Sequence, residues 1–175
     1  MSTPYIFTLD KYIIDQKLLA LRDTYIIKDF DGTELGKATR KLLSFGPRIT
    51  ITDSEGNIVG RLEGKALSLH RDIIFIDWQG ASRGTLKKKV LKFIGSEYWF
   101  EDTSGEKKYR VKGNFTHHNY KVLDYVSDEV LAEVGKKWLS MRDSYAIMIL
   151  DKEKLHPFVA IGIALAIDVV EYPGR

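Results

Sequence analysis

The chain of 175 residues has no cysteine, only four prolines, and four histidines. Without cysteine there are no disulfides, no thiolate catalysis and no zinc site built on sulfur. No stretch reaches the roughly 20 apolar residues a membrane-spanning helix needs. The opening MSTPYIFTLDKYIID lacks a basic segment followed by an apolar run, so no secretory leader is read and a cytoplasmic location is expected. Charge of either sign is not in great excess: the net value is +3. That permits an anionic partner without requiring one. Phosphate loops, dinucleotide fingerprints and nucleophile elbows are missing as well. The chain is therefore not read as an enzyme, and no cofactor is expected.

What is present is one apolar run and one repeat. From Phe158 to Ile167 no side chain is polar, and Asp168 is the first break. A helix that is apolar all round must be buried on every side. The segment Leu155–Val170 is thus expected to be a buried helix, with the rest of the chain wrapped around it. The repeat has a period of 24 residues: Lys17-Leu18-Leu19, Lys41-Leu42-Leu43, Lys65-Ala66-Leu67 and Lys89-Val90-Leu91 open successive units. A weaker copy opens at Gly113 and another at Lys137. Each opening leads through a β-rich run to a turn: Asp31-Gly32, Glu55-Gly56, Gln79-Gly80 and Ser104-Gly105. A polar-Gly pair between two such runs signals a hairpin, because glycine supplies the positive φ. A second glycine follows at Gly36, Gly60 and Gly84, read as a bulge or a close backbone approach.

Five hairpins give ten strands, and Tyr5–Leu9 and Ser144–Leu150 are expected to add one each. Such a sheet would carry two open edges, which closure removes. Twelve strands enclose a lumen between the filled eight-stranded barrel and the open sixteen-stranded channel. A helix about 10–12 Å across fits that gap. The expected fold is mainly β: a closed antiparallel barrel of about twelve strands over residues 5–150, enclosing a central hydrophobic helix at 155–170, in one domain of residues 1–175. An open sandwich with the helix outside would need a polar stripe that the helix lacks.

The repeat also sorts charge. Aspartates and glutamates fall at the Gly-turn rim, while Arg22, Lys41, Arg48, Lys65, Arg71, Lys89, Lys92, Lys137 and Arg142 gather at the other. These basic residues are candidates for an anion or lipid site that engages anionic phospholipid head groups or a phosphorylated ligand. The competing reading is local: aspartate favours turns and lysine blunts strand ends. The helix is expected to enter at the acidic rim and leave at the basic one. Its dipole then lies positive end by acids and negative end by bases. Asp168 would emerge near the basic rim as a structural ion pair, with Arg22 or Arg142 as partner, because a buried carboxylate needs one.

Other constellations read as structure. His117 and His118 are adjacent, so on a strand they face opposite ways and share no metal. Asp29-x-Asp31-Gly32 lacks the rest of a calcium loop and reads as a turn. Lys87-Lys88-Lys89 reads as a solvated strand face, and Trp78, Trp99 and Trp138 as core rather than a base-stacking platform, so nucleic acid is not expected. Gly162 is the one gap on the helix surface and leaves room for a small cavity.

The KLLSLRD-type openings, the D-x-x-G hairpins, Gly113-Asn114-Phe115 followed by Tyr120, Lys136-Lys137-Trp138-Leu139-Ser140 and the closing Ala164-Leu165-Ala166-Ile167-Asp168 together resemble the LURP-one-related family. The resemblance runs from Tyr5 to Val170. That family belongs to the Tubby C-terminal-like superfamily, with the phospholipid scramblases. It implies a twelve-stranded barrel around a C-terminal helix. It also implies a non-enzymatic module that meets anionic phospholipid head groups or phosphoinositides at a membrane surface, peripheral to it. A protein-interaction or scaffold domain without a small-molecule site is the alternative.

Overall fold

A computed structural model describes residues 2–19, 22–43, 46–65, 72–91, 95–136 and 144–172, with side chains unplaced at 17–19, 22–23, 42–43, 90–91 and 95. The strands are β1 (Lys11–Leu19), β2 (Arg22–Lys28), β3 (Glu34–Leu43), β4 (Gly46–Asp53), β5 (Ile58–Gly64) and β6 (Ile73–Asp77). They continue as β7 (Ser82–Leu91), β8 (Gly95–Glu101), β9 (Lys107–Asn114), β10 (Asn119–Asp124), β11 (Val130–Gly135) and β12 (Ser144–Ile149). One helix, α1 (Pro157–Glu171), follows. Every strand pairs antiparallel with its sequence neighbour, and β1 pairs with β12 to close the barrel.

The five hairpins are β2–β3, β4–β5, β6–β7, β8–β9 and β10–β11. Their turns share one device. Asp29, Asp53, Asp77 and Asp102 each accept, through Oδ1, backbone N–H bonds from the residues two and four further on. Asp124 does the same for Val126 and Ser127. A bulge follows each of the first four turns, where the register slips by one residue. In the first three it falls just before Gly36, Gly60 and Gly84, so the two readings of the second glycine describe one feature. Gly60 also admits the helix: a Cβ there would stand 2.6 Å from the Phe158 ring.

Two boundaries differ from expectation. Tyr5–Leu9 is not a strand: Tyr5–Phe7 forms a 3₁₀ turn that buries Ile6 and Phe7. The first strand is Lys11–Leu19 instead. The helix begins at Pro157, because proline suits the first helical position, and the preceding His156 caps it, accepting the Phe158 N–H through Nδ1 at 3.1 Å.

The helix fills the lumen, and every residue from Pro157 to Val170 is buried. Its fit is side chain into gap. Gly162 is not a cavity, since the Phe75 ring occupies the space and a Cβ would stand 2.5 Å from it. Phe158 meets Phe7, Phe75 and Trp78 edge-on. No helix among the described residues is long and apolar enough to cross a membrane.

Candidate functional site

The sheet places the predicted basic residues by parity. Arg40 is buried, so its neighbour Lys41 faces out from β3. Lys65 follows Glu63 on the outer side just beyond β5, and Lys89 faces out from β7. All three stand at the end of the barrel opposite the Gly turns, one per repeat. All are exposed, and none has an ion-pair partner among the described residues. Elsewhere Lys28, Lys37, Lys87, Lys88, Lys108, Lys121 and Lys154 each reach a carboxylate, whereas Lys107 and Lys152 bond, among the described residues, only to uncharged oxygens. Arg48 stands beside Lys41 but is engaged, with Nε 3.2 Å from Glu63. The Arg22 side chain and all of Arg71, Lys92, Lys137 and Arg142 lie outside the described residues.

The lysine run at 87–89 is not one solvated face. Lys87 faces out to Glu101 at 2.7 Å. Lys88 turns inward and meets Glu171 of α1 at 2.9 Å, where Tyr98 also donates at 2.5 Å. Arg40, inward on β3, donates to the Tyr172 carbonyl at 3.1 Å. These two inward cations face the negative end of the helix dipole. Each precedes an outward lysine, so in these two repeats the strand end offers one cation to the helix and one to solvent, while in the repeat between them Gly64 precedes Lys65.

Asp168 is 2 % exposed, and its described partners are not arginines. Tyr25 donates its hydroxyl to Oδ2 at 2.6 Å, and His118 Nε2 lies 2.6 Å from Oδ1. The expected strand at His117–His118 is instead the end of a 3₁₀ turn, Phe115–His117, with His118 left-handed at φ 47°. That turn sends His117 outward and His118 inward, where it stacks on Tyr145 and on Tyr172. Tyr120 and Tyr145 complete the cluster. Burial first, and the Asp168 charge second, push both phenols well above their ordinary pKa. The hydroxyls of both, and His118 Nδ1, have no hydrogen-bond partner among the described residues. Sequence reasoning missed this cluster. Its one available signal was that the fifth repeat breaks pattern at His118.

The tryptophans divide. Trp78 packs against the core. Trp99 lies on the outer wall, half-buried, donating to Glu101 at 2.8 Å; Trp138 is outside the described residues. No group of three or more His, Asp or Glu able to hold a metal occurs among the described residues.

Comparison with known proteins follows the same lines. A family model described as LURP-one-related matches residues 10–168. No curated protein matches the chain. A crystal structure of a protein from Arabidopsis thaliana superposes with a TM-score of 0.61 at 15% identity, covering 95% of this chain and 96% of that one. The likeness supports a Tubby-like barrel fold.

Proposed function

Since the chain belongs to the LURP-one-related family, we propose that it is a non-enzymatic binding module whose lysine end meets anionic phospholipid head groups, phosphoinositides included. One observation carries the reading: Lys41, Lys65 and Lys89 recur every 24 residues at one end as exposed cations with no ion-pair partner among the described residues. A paired lysine has little charge left for a partner. An unpaired one contributes about 1 kcal/mol near an anionic membrane surface. The helix fills the lumen, so the surface is where binding would occur.

The test is co-sedimentation with neutral vesicles and with vesicles carrying phosphatidylserine or phosphoinositide, at low and physiological salt. Anionic vesicles pellet the protein, salt weakens the effect, and Lys41→Gln/Lys65→Gln/Lys89→Gln weakens it by on the order of 100-fold. Adding Arg48→Gln contributes less, because Glu63 already holds that charge. Equal pelleting of the triple variant sinks the proposal.

A second reading has its own observation. Among the described residues, the exposed large apolar side chains Tyr5, Phe30, Ile58, Val126 and Leu150 all lie at the Gly-turn end. That favours a protein partner there and a scaffold role, which a lack of binding to any anionic vesicle would bring forward.

A further inference from the structure

A cleft of about 280 Å³ opens at the mouth of the helix, at the Gly-turn end, far from the lysines. Thr3, Trp78, Arg83, His156 and Phe158 line it. Its floor and wall are aromatic, since His156 stacks on Trp78 at 5.8 Å and Phe158 meets that indole edge-on. Its polar character is one-sided. Asp77, whose side chain is fully buried, takes Arg83 Nε at 2.5 Å. That leaves the guanidinium's two NH₂ groups for other acceptors, while the Trp78 ring lies 5.8 Å below its carbon.

His156 is held just as firmly. Burial, and then the Arg83 charge, push its pKa down, with Asp77 opposing. It is therefore neutral at pH 7. Its Nδ1 accepts the Phe158 N–H, so its single hydrogen sits on Nε2. The lining residues thus carry a guanidinium, an imidazole N–H and a threonine hydroxyl, with no carboxylate among the described ones. A guanidinium anchored by Asp77 and an imidazole anchored by its helix-cap bond, beside an aromatic wall, define the complement: an acceptor group carrying negative charge on a flat body. The volume lies just under the roughly 300–1,000 Å³ of drug-sized sites, which suits a single ring rather than a nucleotide or an acyl chain.

We propose that this cleft binds a small flat carboxylate, with Arg83 and His156 holding the carboxylate and Trp78 the ring. The site is independent of the lysine end, and either can fail alone.

The probe is benzoate, titrated into the ¹⁵N-labelled full chain at neutral pH while the Trp78 indole and His156 imidazole signals are followed. Inorganic phosphate tests charge without a ring, and benzyl alcohol a ring without charge. Benzoate produces saturable shifts at both residues, and the other two bind at least about tenfold more weakly. Arg83→Gln weakens benzoate at least about tenfold, and Lys11→Gln, on the far side of the ring of strands, leaves it unchanged. Should Arg83→Gln unfold by freeing Asp77, His156→Asn serves: asparagine keeps the helix cap and removes the Nε2 donor, so binding weakens with the fold intact. The absence of saturable shifts overturns the proposal. So does benzoate binding unchanged in the folded variants, or phosphate or benzyl alcohol binding as tightly.

Discussion

Asp168 sits where a carboxylate is least welcome, in the last turns of a helix and inside a hydrophobic barrel. Its two short hydrogen bonds are what hold it there. Each bond to a charged group contributes about 1.5–3 kcal/mol. Tyr25→Phe removes one and lowers the thermal midpoint by several degrees, at about 2–4 °C per kcal/mol for a chain of this size. Asp168→Ala removes the acceptor of both and strands His118 as well, so its cost exceeds that of Tyr25→Phe. In the double variant the losses do not add, because the tyrosine has already lost its acceptor. Thermal unfolding of the three variants reads this. Additive losses would show that Tyr25 and Asp168 do not depend on each other.

At the scale of the element, helix and sheet meet through glycines. Phe75 from β6 enters the gap at Gly162, and Phe158 from α1 enters the gap at Gly60. Gly162→Ala raises helix propensity by up to about 1 kcal/mol. Overpacking a filled core costs about 1–3 kcal/mol, so the net effect is destabilising. Adding Phe75→Leu restores part of the loss, and urea unfolding shows both steps; a stabilised Gly162→Ala would mean that Phe75 yields freely. These contacts mark the boundary of what could be read from the chain. The hairpins, their count, the closure and the buried helix were legible, because turn glycines and an all-apolar helix are local signals. The 24-residue period even located Lys41, Lys65 and Lys89. What could not be read was which side chain fills which gap. Gly162 looked like a void because Phe75 lies 87 residues away in sequence. At Asp168 the need for a partner was legible because charge is visible in sequence, whereas the turn that swings His118 inward is not; the Arg22 and Arg142 side chains lie outside the described residues. Lys88 was lost in a run of three because strand parity, not composition, sends it to Glu171.

For the whole molecule, the Gly-turn end is held by ionised aspartates. Burial opposes the charge of Asp53 and Asp77, but bonds from Asn57, and from Ala81 and Arg83, outweigh it and keep both below the ordinary carboxyl value. The Ser104 side chain lowers Asp102, and the Ser127 amide lowers Asp124. A carboxyl lowered in the folded state stabilises fully above its unfolded pKa, about 3.9 for aspartate. That stabilisation fades as pH falls through the folded value. The urea midpoint therefore drops steeply below about pH 4, and Asp53→Asn/Asp77→Asn/Asp102→Asn/Asp124→Asn flattens the drop while keeping the turn acceptors. An equally steep fall in the quadruple variant would place the acid sensitivity elsewhere. The closure of the barrel has a consequence in time. Synthesis proceeds from the N-terminus at about 5–20 residues per second. Each hairpin can pair as it emerges, since its contacts are local. The strand that seals β1, and the helix that fills the lumen, are made after all the others. Until then the nascent sheet shows its greasy inner wall to the cell, for seconds in which only a chaperone or good fortune shields it.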